Sequence, residues 1–357
     1  MKKILLSTGG SGGHVIPALT LYDHLKNNFN ISIVTDQRGS KFIDKNVYNY
    51  NLVRIPKISK NIFIFFIDLI KIIISIIKCI IFLKKNNIDI LVSTGGYMSF
   101  PFSVGSKILG VKLILFEPNR VIGRSNKLMA RYADSIICYS KYIKNFPSRY
   151  TNKIILVDAI LPKKIYKFEK KLKNLQTQIN LLILGGSQGA KFFDNFAKNL
   201  ILNLSNELNI KVFQQVHDEN NIYELENFYN QNNIENNLFS FDVDIIEKMA
   251  ECNFAITRCG ASTLAELSYL NIPFVGIPYP YAKDNHQYYN VIHYEQNNCC
   301  WVYLQEVVNI DEILKLFKEM INDNTIYEKK YQNLKKISYK NNWNNLNKKL
   351  IEIFNEY

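Results

Sequence analysis

The sequence predicts an α/β protein built from two Rossmann-like domains whose parallel sheets face a cleft. Short apolar runs alternate with longer stretches of helical spacing, a pattern typical of βαβ units and a parallel sheet. Each half of the chain opens with such a run, followed at once by a glycine-rich turn. At 357 residues the chain also exceeds the size at which one hydrophobic core usually stops growing. Two domains are therefore expected.

The apolar runs place the N-terminal domain over residues 1–157 and the C-terminal domain over residues 181–335. The lysine-rich stretch 158–180 is interpreted as a linker. Residues 336–357 are interpreted as a final helix that packs back on the N-terminal domain, because their apolar residues recur at helical spacing. The runs interpreted as strands are Ile4–Leu6, Ile31–Val34, Ile90–Val92, Leu113–Phe116, Ile136–Cys138, Ile154–Val157, Leu181–Leu184, Lys211–Phe213, Leu238–Phe241, Phe254–Thr257 and Phe274–Ile277.

The composition is that of a globular protein with an excess of positive charge. Hydrophobic residues make up 47% and charged residues 21%, which argues against disorder. The net charge of +13 favours an anionic partner such as nucleic acid, phosphate groups or a membrane surface, although compositional drift in a chain rich in Ile, Lys and Asn would also produce it. Six cysteines without zinc-like spacing indicate reduced thiols of a cytoplasmic protein, and no signal peptide is recognised.

The first glycine-rich turn, Ser7–His14, lies between a strand and a helix. Its glycines let backbone N–H groups approach an oxygen-rich ligand, and the helix N-terminus favours negative charge. A dinucleotide fingerprint would use Asp36 as the acid that binds the ribose. The glycine spacing disfavours that alternative, because Gly10 and Gly12 would require Gly or Ala at Val15.

His14 ends this turn, where its side chain can point into the cleft. An imidazole titrates near neutrality and is suited to remove a proton from a sugar hydroxyl. A histidine that only caps the helix or bonds the turn is the alternative, and the residues alone leave both open.

The second half contains two further turns of this kind. Gly185–Ala190 offers backbone amides and the Ser187 hydroxyl as a cradle for a diphosphate, although a tight βα turn also needs glycine. Thr257–Glu266 places the amides of residues 261–263 at a helix start. The Glu266 carboxylate there can accept hydrogen bonds from two ribose hydroxyls, or it is only a helix-favouring acid.

Asp242-Val243-Asp244 matches a short pattern that holds a metal–nucleotide complex in one class of nucleotide-sugar enzymes. Three residues are a weak signal, and the glycine-rich turns offer a metal-free route for a diphosphate. We therefore expect no metal here. Downstream, the polar turn Pro278–Gln287 is rich in groups that bond sugar hydroxyls.

The stretch Ile62–Leu83 is apolar enough to suggest contact with a membrane. Four polar residues interrupt it at spacings of three and four, which predicts a polar stripe on one helical face and argues against a spanning helix. Flanking lysines favour an interfacial helix over an ordinary helix packed on its sheet. The polar residues are Asp68, Lys71, Ser75 and Lys78, and the flanking lysines are Lys57, Lys60, Lys84 and Lys85.

Six ordered motifs resemble the MurG family of peptidoglycan glycosyltransferases over nearly the whole chain. They are Gly9–His14 with Pro17, Thr94–Pro101, Glu117–Asn119 with Gly123, Asn126 and Lys127, Gly185–Lys191, Arg258–Glu266, and Asp284–Gln287 with Asn290. The resemblance implies a GT-B fold and transfer of N-acetylglucosamine from UDP-N-acetylglucosamine, with inversion and without a metal. The implied acceptor is the 4-hydroxyl of undecaprenyl-diphosphate-linked muramyl pentapeptide. The implied location is peripheral, on the anionic cytoplasmic face of the cell membrane, without nucleic acid.

The resemblance also implies a role for individual residues. His14 would be the base for the muramyl hydroxyl. The residues that would contact the donor are Ser11, Gly12 and Gly13 at the sugar and diphosphate, Asn119 at the sugar, Ser187 at the phosphate, Ile246 at the uracil through its backbone, Ala261, Ser262 and Thr263 on the sugar side, Glu266 at the ribose and Gln287 at the sugar hydroxyls. Leu264 and Ala265 would also belong to the substrate-binding segment.

The chain departs from the family pattern in two places. Asp158–Pro162 stands where the family usually has Gly-Asn-Pro-Val-Arg, so the arginine expected at the donor is missing and Lys163 or Lys164 is its candidate substitute. Pro118 replaces a usual Gln. A GT-B enzyme with another lipid acceptor such as diacylglycerol, a UDP-sugar epimerase and a non-enzymatic basic binder remain as alternatives.

Overall fold

The computed structural model describes residues 1–56, 62–169, 171–172, 175–186, 191–242 and 244–357. The chain divides into two compact units. Unit 1 comprises Met1–Lys163 and Trp343–Tyr357, and unit 2 comprises Lys164–Asn342. The division at residues 163 and 164 falls within the stretch interpreted as the linker. The final helix begins at Trp343 and belongs to unit 1, whereas residues 336–338 end the preceding helix, in unit 2.

In the described residues, unit 1 has one parallel sheet of seven strands in the order β3-β2-β1-β4-β5-β6-β7. Its strands are β1 (Lys3–Ser7), β2 (Asn30–Thr35), β3 (Tyr50–Leu52), β4 (Ile90–Ser93), β5 (Lys112–Glu117), β6 (Ser135–Cys138) and β7 (Ile154–Leu156). Its helices are α1 (Gly12–Leu25), α2 (Ile62–Lys85), α3 (Gly96–Leu109), α4 (Arg124–Met129) and the C-terminal helix α12 (Trp343–Asn355).

Unit 2, over the residues described, has a parallel sheet of six strands in the order β10-β9-β8-β11-β12-β13. Its strands are β8 (Ile179–Leu184), β9 (Ile210–Gln215), β10 (Glu235–Phe239), β11 (Phe254–Thr257), β12 (Phe274–Gly276) and β13 (Cys300–Val302). Its helices are α5 (Lys191–Ser205), α6 (Ile222–Gln231), α7 (Ile245–Glu251), α8 (Ala261–Tyr269), α9 (His286–Gln296), α10 (Ile310–Asn322) and α11 (Asn324–Ser338).

Helices cover both faces of the sheet in unit 1, which is why its central strands read as continuous apolar runs. One face packs on α1 and α12. From α12, the side chains of Leu346, Leu350 and Phe354 join the core beside Ile4 and Leu6 of β1. The other face packs on α2 and α3. All six cysteines are buried, and none of them forms a disulfide.

The strand orders place the functional loops. In each sheet the order reverses between the first strand and a strand further along the chain: between β1 and β4 in unit 1, and between β8 and β11 in unit 2. Ligands of open α/β sheets bind outside the carboxyl ends of the strands at such a point. The glycine-rich turns after β1 and β8 and the loops after β4 and β11 all lie there.

Candidate active site

The turn after β1 is held in place by the Asp36 carboxylate. Its Oδ1 accepts the N–H groups of Gly10 and Gly39, both at 2.8 Å, and its Oδ2 accepts the Tyr97 hydroxyl. Burial raises the pKa of Asp36, but these hydrogen bonds and the nearby Arg38 lower it more, so the net shift is downward. A Cβ on Gly9 would stand 2.8 Å from the same oxygen. Asp36 therefore anchors the turn. This structural role explains why an acid stands at this position without any need for a dinucleotide ligand.

His14 is the third residue of α1, behind Ser11 at the N-cap. Its Nδ1 lies 2.8 Å from the Thr94 carbonyl oxygen at the end of β4. Because a carbonyl only accepts, Nδ1 carries the hydrogen and Nε2 is the basic nitrogen of the neutral ring. Gly95 and Gly96 have φ values of +91° and +79°, and a Cβ on either would stand 3.4–3.5 Å from the imidazole. The paired glycines let the backbone lie against the ring.

Asn119 belongs to a loop organised by Glu117, the last residue of β5. Glu117 is 3% exposed, and its Oε1 accepts the Asn119 side-chain amide at 3.0 Å. Its Oε2 accepts the Gly123 N–H at 2.7 Å and the Asn126 amide at 3.0 Å. Asn126 also lies beside Gly95, as His14 does. Glu117 thus links the Asn119 loop to the surroundings of His14, a role that the sequence did not indicate.

In unit 2, the turn after β8 begins with Gly185, whose N–H donates to the Gln215 side chain at 3.2 Å, and Gly186, with φ +84°. Ser187 and the other residues through 190 lie outside the described residues. The role predicted for Ser187 at the donor phosphate therefore stays a prediction.

Gln287 joins the loops after β11 and β12. Its Oε1 accepts the N–H groups of Cys259 at 3.2 Å and Tyr279 at 2.9 Å. These two bonds engage the side-chain oxygen, and the Nε2 group of the same amide can only donate. Arg258 is 4% exposed and donates to the Ile277 carbonyl at 2.9 Å, so it ties the same loops together.

Helix α8 starts at Ala261, behind Gly260 at the N-cap. The side chains of Ala261, Ser262 and Thr263 are half-buried in its first turn, where helix N–H groups lack intrahelical partners. The next two residues are buried, and Leu264 donates its N–H to the Gly260 carbonyl at 3.0 Å.

Glu266 lies in the second turn of α8 and is 7% exposed. Burial raises the pKa of its carboxyl group to about 8, and the positive charge of Lys164 opposes that shift. Lys164 itself lies 2.6 Å from an Asp244 carboxylate oxygen. Asp244 is the N-cap of α7, two residues before the buried Ile246. The structure thus brings Glu266, Lys164 and the start of α7 into one region.

Both aspartates of the Asp-x-Asp pattern form ion pairs with lysines. Asp242 pairs with Lys248 and Asp244 with Lys164. Within the described part of the chain, no group of three or more His, Cys, Asp or Glu side chains is arranged to hold a metal ion.

Helix α2 buries polar residues and exposes isoleucines. Asp68 and Ser75 are 4% and 6% exposed, on the same side as the buried Cys79 and Leu83. Two members of the predicted polar stripe therefore face the protein, whereas Lys71 and Lys78 are exposed. The large exposed apolar side chains are Ile67, Leu69, Ile70, Ile73, Ile74, Ile77 and Ile81, each 45–60% exposed. None of the described helices has the length and apolarity needed to cross a membrane.

Comparisons with known proteins agree with this architecture. Residues 4–138 match the glycosyltransferase family 28 N-terminal domain, and residues 180–343 match its C-terminal domain. A UDP-N-acetylglucosamine–N-acetylmuramyl-(pentapeptide) pyrophosphoryl-undecaprenol N-acetylglucosamine transferase of Pelagibacter ubique (strain HTCC1062) is 45% identical over 99% of both chains. The transferase of the same name from Rickettsia felis is 30% identical over 94% of this chain and 95% of its own. The crystal structure of Acinetobacter baumannii MurG matches all of both chains at a TM-score of 0.76 and 20% identity.

The two parallel-sheet units and the matched domains define a glycosyltransferase with the GT-B fold, as the sequence predicted. The identities of 45% and 30% to the two named transferases, each over nearly the full length of the chain, narrow this class to one family. The chain belongs to the MurG family.

Proposed function

We propose that this chain transfers N-acetylglucosamine from UDP-N-acetylglucosamine to the 4-hydroxyl of the muramyl residue of undecaprenyl-diphosphate-linked muramyl pentapeptide, in peptidoglycan synthesis. The observation that carries this proposal is the near full-length similarity to transferases whose names state this donor and acceptor. The loops at the two switch points supply what such a reaction needs: a base in unit 1 and nucleotide-binding groups in unit 2.

His14 acts as the base in this proposal. Nδ1–H is held by the Thr94 carbonyl, so the ring presents Nε2 to the acceptor hydroxyl. Nε2 takes the hydroxyl proton as the oxygen attacks the anomeric carbon, and the bond from that carbon to the diphosphate oxygen breaks on the opposite face. UDP leaves with the electron pair, and the sugar inverts to the β configuration. Backbone amides at helix N-termini stabilise the departing diphosphate, and the proposal assigns no metal.

Donor binding is shared between the turns. Gln287 donates its Nε2 hydrogens to sugar hydroxyls, because its oxygen accepts from two backbone amides. Glu266 binds the ribose hydroxyls as a carboxylate. The remaining proposed contacts are Ser11, Gly12 and Gly13 at the diphosphate and sugar, Asn119 at the sugar, Ser187 at the phosphate, Ile246 at the uracil, and Ala261 to Thr263 in the first turn of α8 on the sugar side. Leu264 and Ala265 complete the proposed substrate-binding segment.

The decisive assay mixes the purified chain with labelled UDP-N-acetylglucosamine and the lipid-linked muramyl pentapeptide. The expected product is the lipid-linked disaccharide. Transfer to diacylglycerol instead, or conversion of the UDP-sugar without any lipid, would contradict the proposal and favour another lipid acceptor or an epimerase.

The base is tested with His14→Ala. General base catalysis contributes roughly 10²- to 10⁴-fold, so kcat should fall by that order while the Kd for UDP stays unchanged. Unchanged turnover would remove His14 from this role.

Membrane attachment is proposed through the isoleucine face of α2, which would place the protein peripherally on the cytoplasmic surface of the membrane. The exposed isoleucines offer apolar area, and Lys71, Lys78, Lys84 and Lys85 offer positive charge to anionic lipids. Binding to vesicles that contain an anionic phospholipid should weaken in Ile73→Glu. Lys335→Glu is the control, because it changes the charge of an exposed residue on helix α11 of unit 2. Its binding to the vesicles should stay close to that of the unaltered chain. Equal binding by both variants would reject this surface.

A further inference from the structure

The Thr94 carbonyl, which accepts the Nδ1 hydrogen of His14 at 2.8 Å, lies in a loop whose backbone requires glycine. The next two residues, Gly95 and Gly96, have φ values of +91° and +79°. Glycine adopts such values readily, but it also leaves the backbone with more conformational freedom than any other residue. The bond between Thr94 and His14 therefore depends on contacts that hold this loop from outside.

One of these contacts is the hydroxyl of Ser99, in the first turn of α3. Ser99 is 0% exposed. Its Oγ donates to the Gly95 carbonyl oxygen at 2.8 Å and to the Ser7 carbonyl oxygen at 2.9 Å. Ser7 ends β1, directly before the glycine-rich turn that leads to His14. A single buried hydroxyl thus joins the turn after β1 to the loop after β4.

The Ser7 carbonyl is the point at which two donors from the loop after β4 meet. It accepts the Thr94 N–H at 3.2 Å as well as the Ser99 hydroxyl. The Thr94 hydroxyl in turn donates to the Thr8 hydroxyl at 2.9 Å. These bonds fix Thr94 itself, whereas the bond from Ser99 to Gly95 fixes the residue that follows. The direction of the Thr94 carbonyl is set by the backbone torsions on both sides of its planar peptide unit, so both anchors matter.

Ser103, one turn further along α3, shows what is particular to Ser99. Ser103 is also 0% exposed, and its Oγ donates to the Ser99 carbonyl oxygen at 2.9 Å. A serine that bonds a carbonyl one turn earlier is an ordinary feature of helices. The bond of Ser103 stays within α3, whereas the Ser99 hydroxyl also reaches Ser7 on a strand of the sheet.

We propose that Ser99 is a positioning residue for the base: its hydroxyl holds the Thr94 carbonyl where that oxygen accepts the Nδ1 hydrogen of His14. This inference rests on the proposed function, in which His14 is the base. A neutral imidazole carries one hydrogen, on either of its two nitrogens. Without a fixed carbonyl the hydrogen is not held on Nδ1, and a ring that carries it on Nε2 cannot take up a proton there.

The first test compares Ser99→Ala with Ser103→Ala, since both remove a buried hydroxyl from α3. The kcat for N-acetylglucosamine transfer should fall about tenfold in Ser99→Ala, because a hydrogen bond of ordinary strength changes a conformational population by about that factor. Ser103→Ala should keep nearly the kcat of the unaltered chain. The Kd for UDP and the urea midpoint should be alike in the two variants, because each loses one buried hydrogen bond.

Nitrogen-15 NMR of the imidazole locates the hydrogen directly, without substrate or turnover. The spectra are recorded at pH 8, about 1.5 units above the reference pKa of histidine. The signals of His14 are assigned by their absence from the spectrum of His14→Ala. The unaltered chain and Ser103→Ala should carry the hydrogen on Nδ1, whereas a larger fraction should carry it on Nε2 in Ser99→Ala.

A double variant separates positioning from a general structural role. In a His14→Ala background, Ser99→Ala should lower the residual kcat no further, because the base that it positions is absent. Equal kcat in Ser99→Ala and Ser103→Ala, an unchanged tautomer of His14, or a further tenfold loss in the His14→Ala background would overturn the role of Ser99. If the unaltered chain transfers no N-acetylglucosamine, the proposed function fails, and the NMR comparison still decides whether Ser99 holds the Thr94 carbonyl.

Discussion

The burial of an uncharged histidine, His24, predicts that unit 1 loses stability as the pH falls below 6.5. The residue lies in the last turn of α1 and is 2% exposed. Its ring stacks on Trp343 with centroids 3.8 Å apart, and its Nε2 lies 3.2 Å from the Leu161 carbonyl. Burial lowers the pKa of His24 from 6.5 to about 4, against the opposing effects of the Leu161 carbonyl and the Asn347 side chain. The folded state therefore resists a proton that the unfolded chain accepts.

The sign and size follow from linkage. Between pH 6.5 and pH 4 the unfolded chain binds more protons at this site than the folded chain, so the free energy of unfolding falls as the pH falls. The full effect, reached below the folded pKa, is about 3 kcal/mol for a shift of roughly 2.5 units. At pH 5 the expected loss is about 2 kcal/mol. From roughly one pH unit above 6.5, where the unfolded chain has also lost the proton, the contribution of His24 no longer depends on pH.

The assay is urea unfolding at pH 7 and pH 5, followed by the fluorescence of Trp343 in a Trp301→Phe background, because the chain has two tryptophans. His24→Gln removes the titrating group and should be about 2 kcal/mol less sensitive to this pH change. His217→Gln, at an exposed position, is the control for the loss of a histidine. Equal sensitivity in the His24→Gln variant and the control would refute the reasoning, as would an NMR titration of His24 near pH 6.5.

Three other predictions concern the turn and loop in unit 1. Asp36→Ala should lower the free energy of unfolding by about 1–3 kcal/mol, because it leaves buried donors unpaired; a urea midpoint like that of the unaltered chain would contradict the anchor role. Gly95→Ala should reduce kcat at least tenfold, because φ +91° is strained for alanine and the new Cβ meets His14 at 3.4 Å; the assay is N-acetylglucosamine transfer, and normal kcat would count against this packing. Glu117→Gln should raise KM for the donor about tenfold, because the amide cannot accept at both ends; a donor titration with unchanged KM would show that Asn119 needs no such support.

The two sheets were predictable because their central strands are buried on both faces. Each predicted run overlaps an observed strand, and Leu181–Leu184 and Phe254–Thr257 lie wholly within strands. The sequence analysis missed β3 and β13, which have three residues each and form sheet edges. Tyr50–Leu52 has a polar residue at its centre, so the apolar run that identifies the other strands is absent from β3.

Helix α2 shows what periodicity leaves undetermined. The spacing of its polar residues predicted which residues share a face of the helix, but not whether that face points toward the protein or toward solvent. The prediction of one polar stripe was only partly right, since Asp68 and Ser75 turn toward the buried side and the two lysines do not. A side chain such as Ser75 satisfies its hydroxyl on the Lys71 carbonyl one turn earlier, at 2.8 Å, so a buried position costs it little.

At the candidate site, the sequence located the loops but not the contacts within them. A glycine-rich turn after a strand indicates a position at a switch point, and His14, Glu266 and Gln287 all fall in such loops. The partners that determine their chemistry are distant in sequence: the Thr94 carbonyl selects the tautomer of His14, and Lys164 acts on Glu266 across 102 positions. Asp36 shows the same limit, because an acid at the spacing of a ribose ligand instead bonds the turn itself. Motif spacing therefore predicts where chemistry occurs, and side-chain partners decide which protonation state performs it.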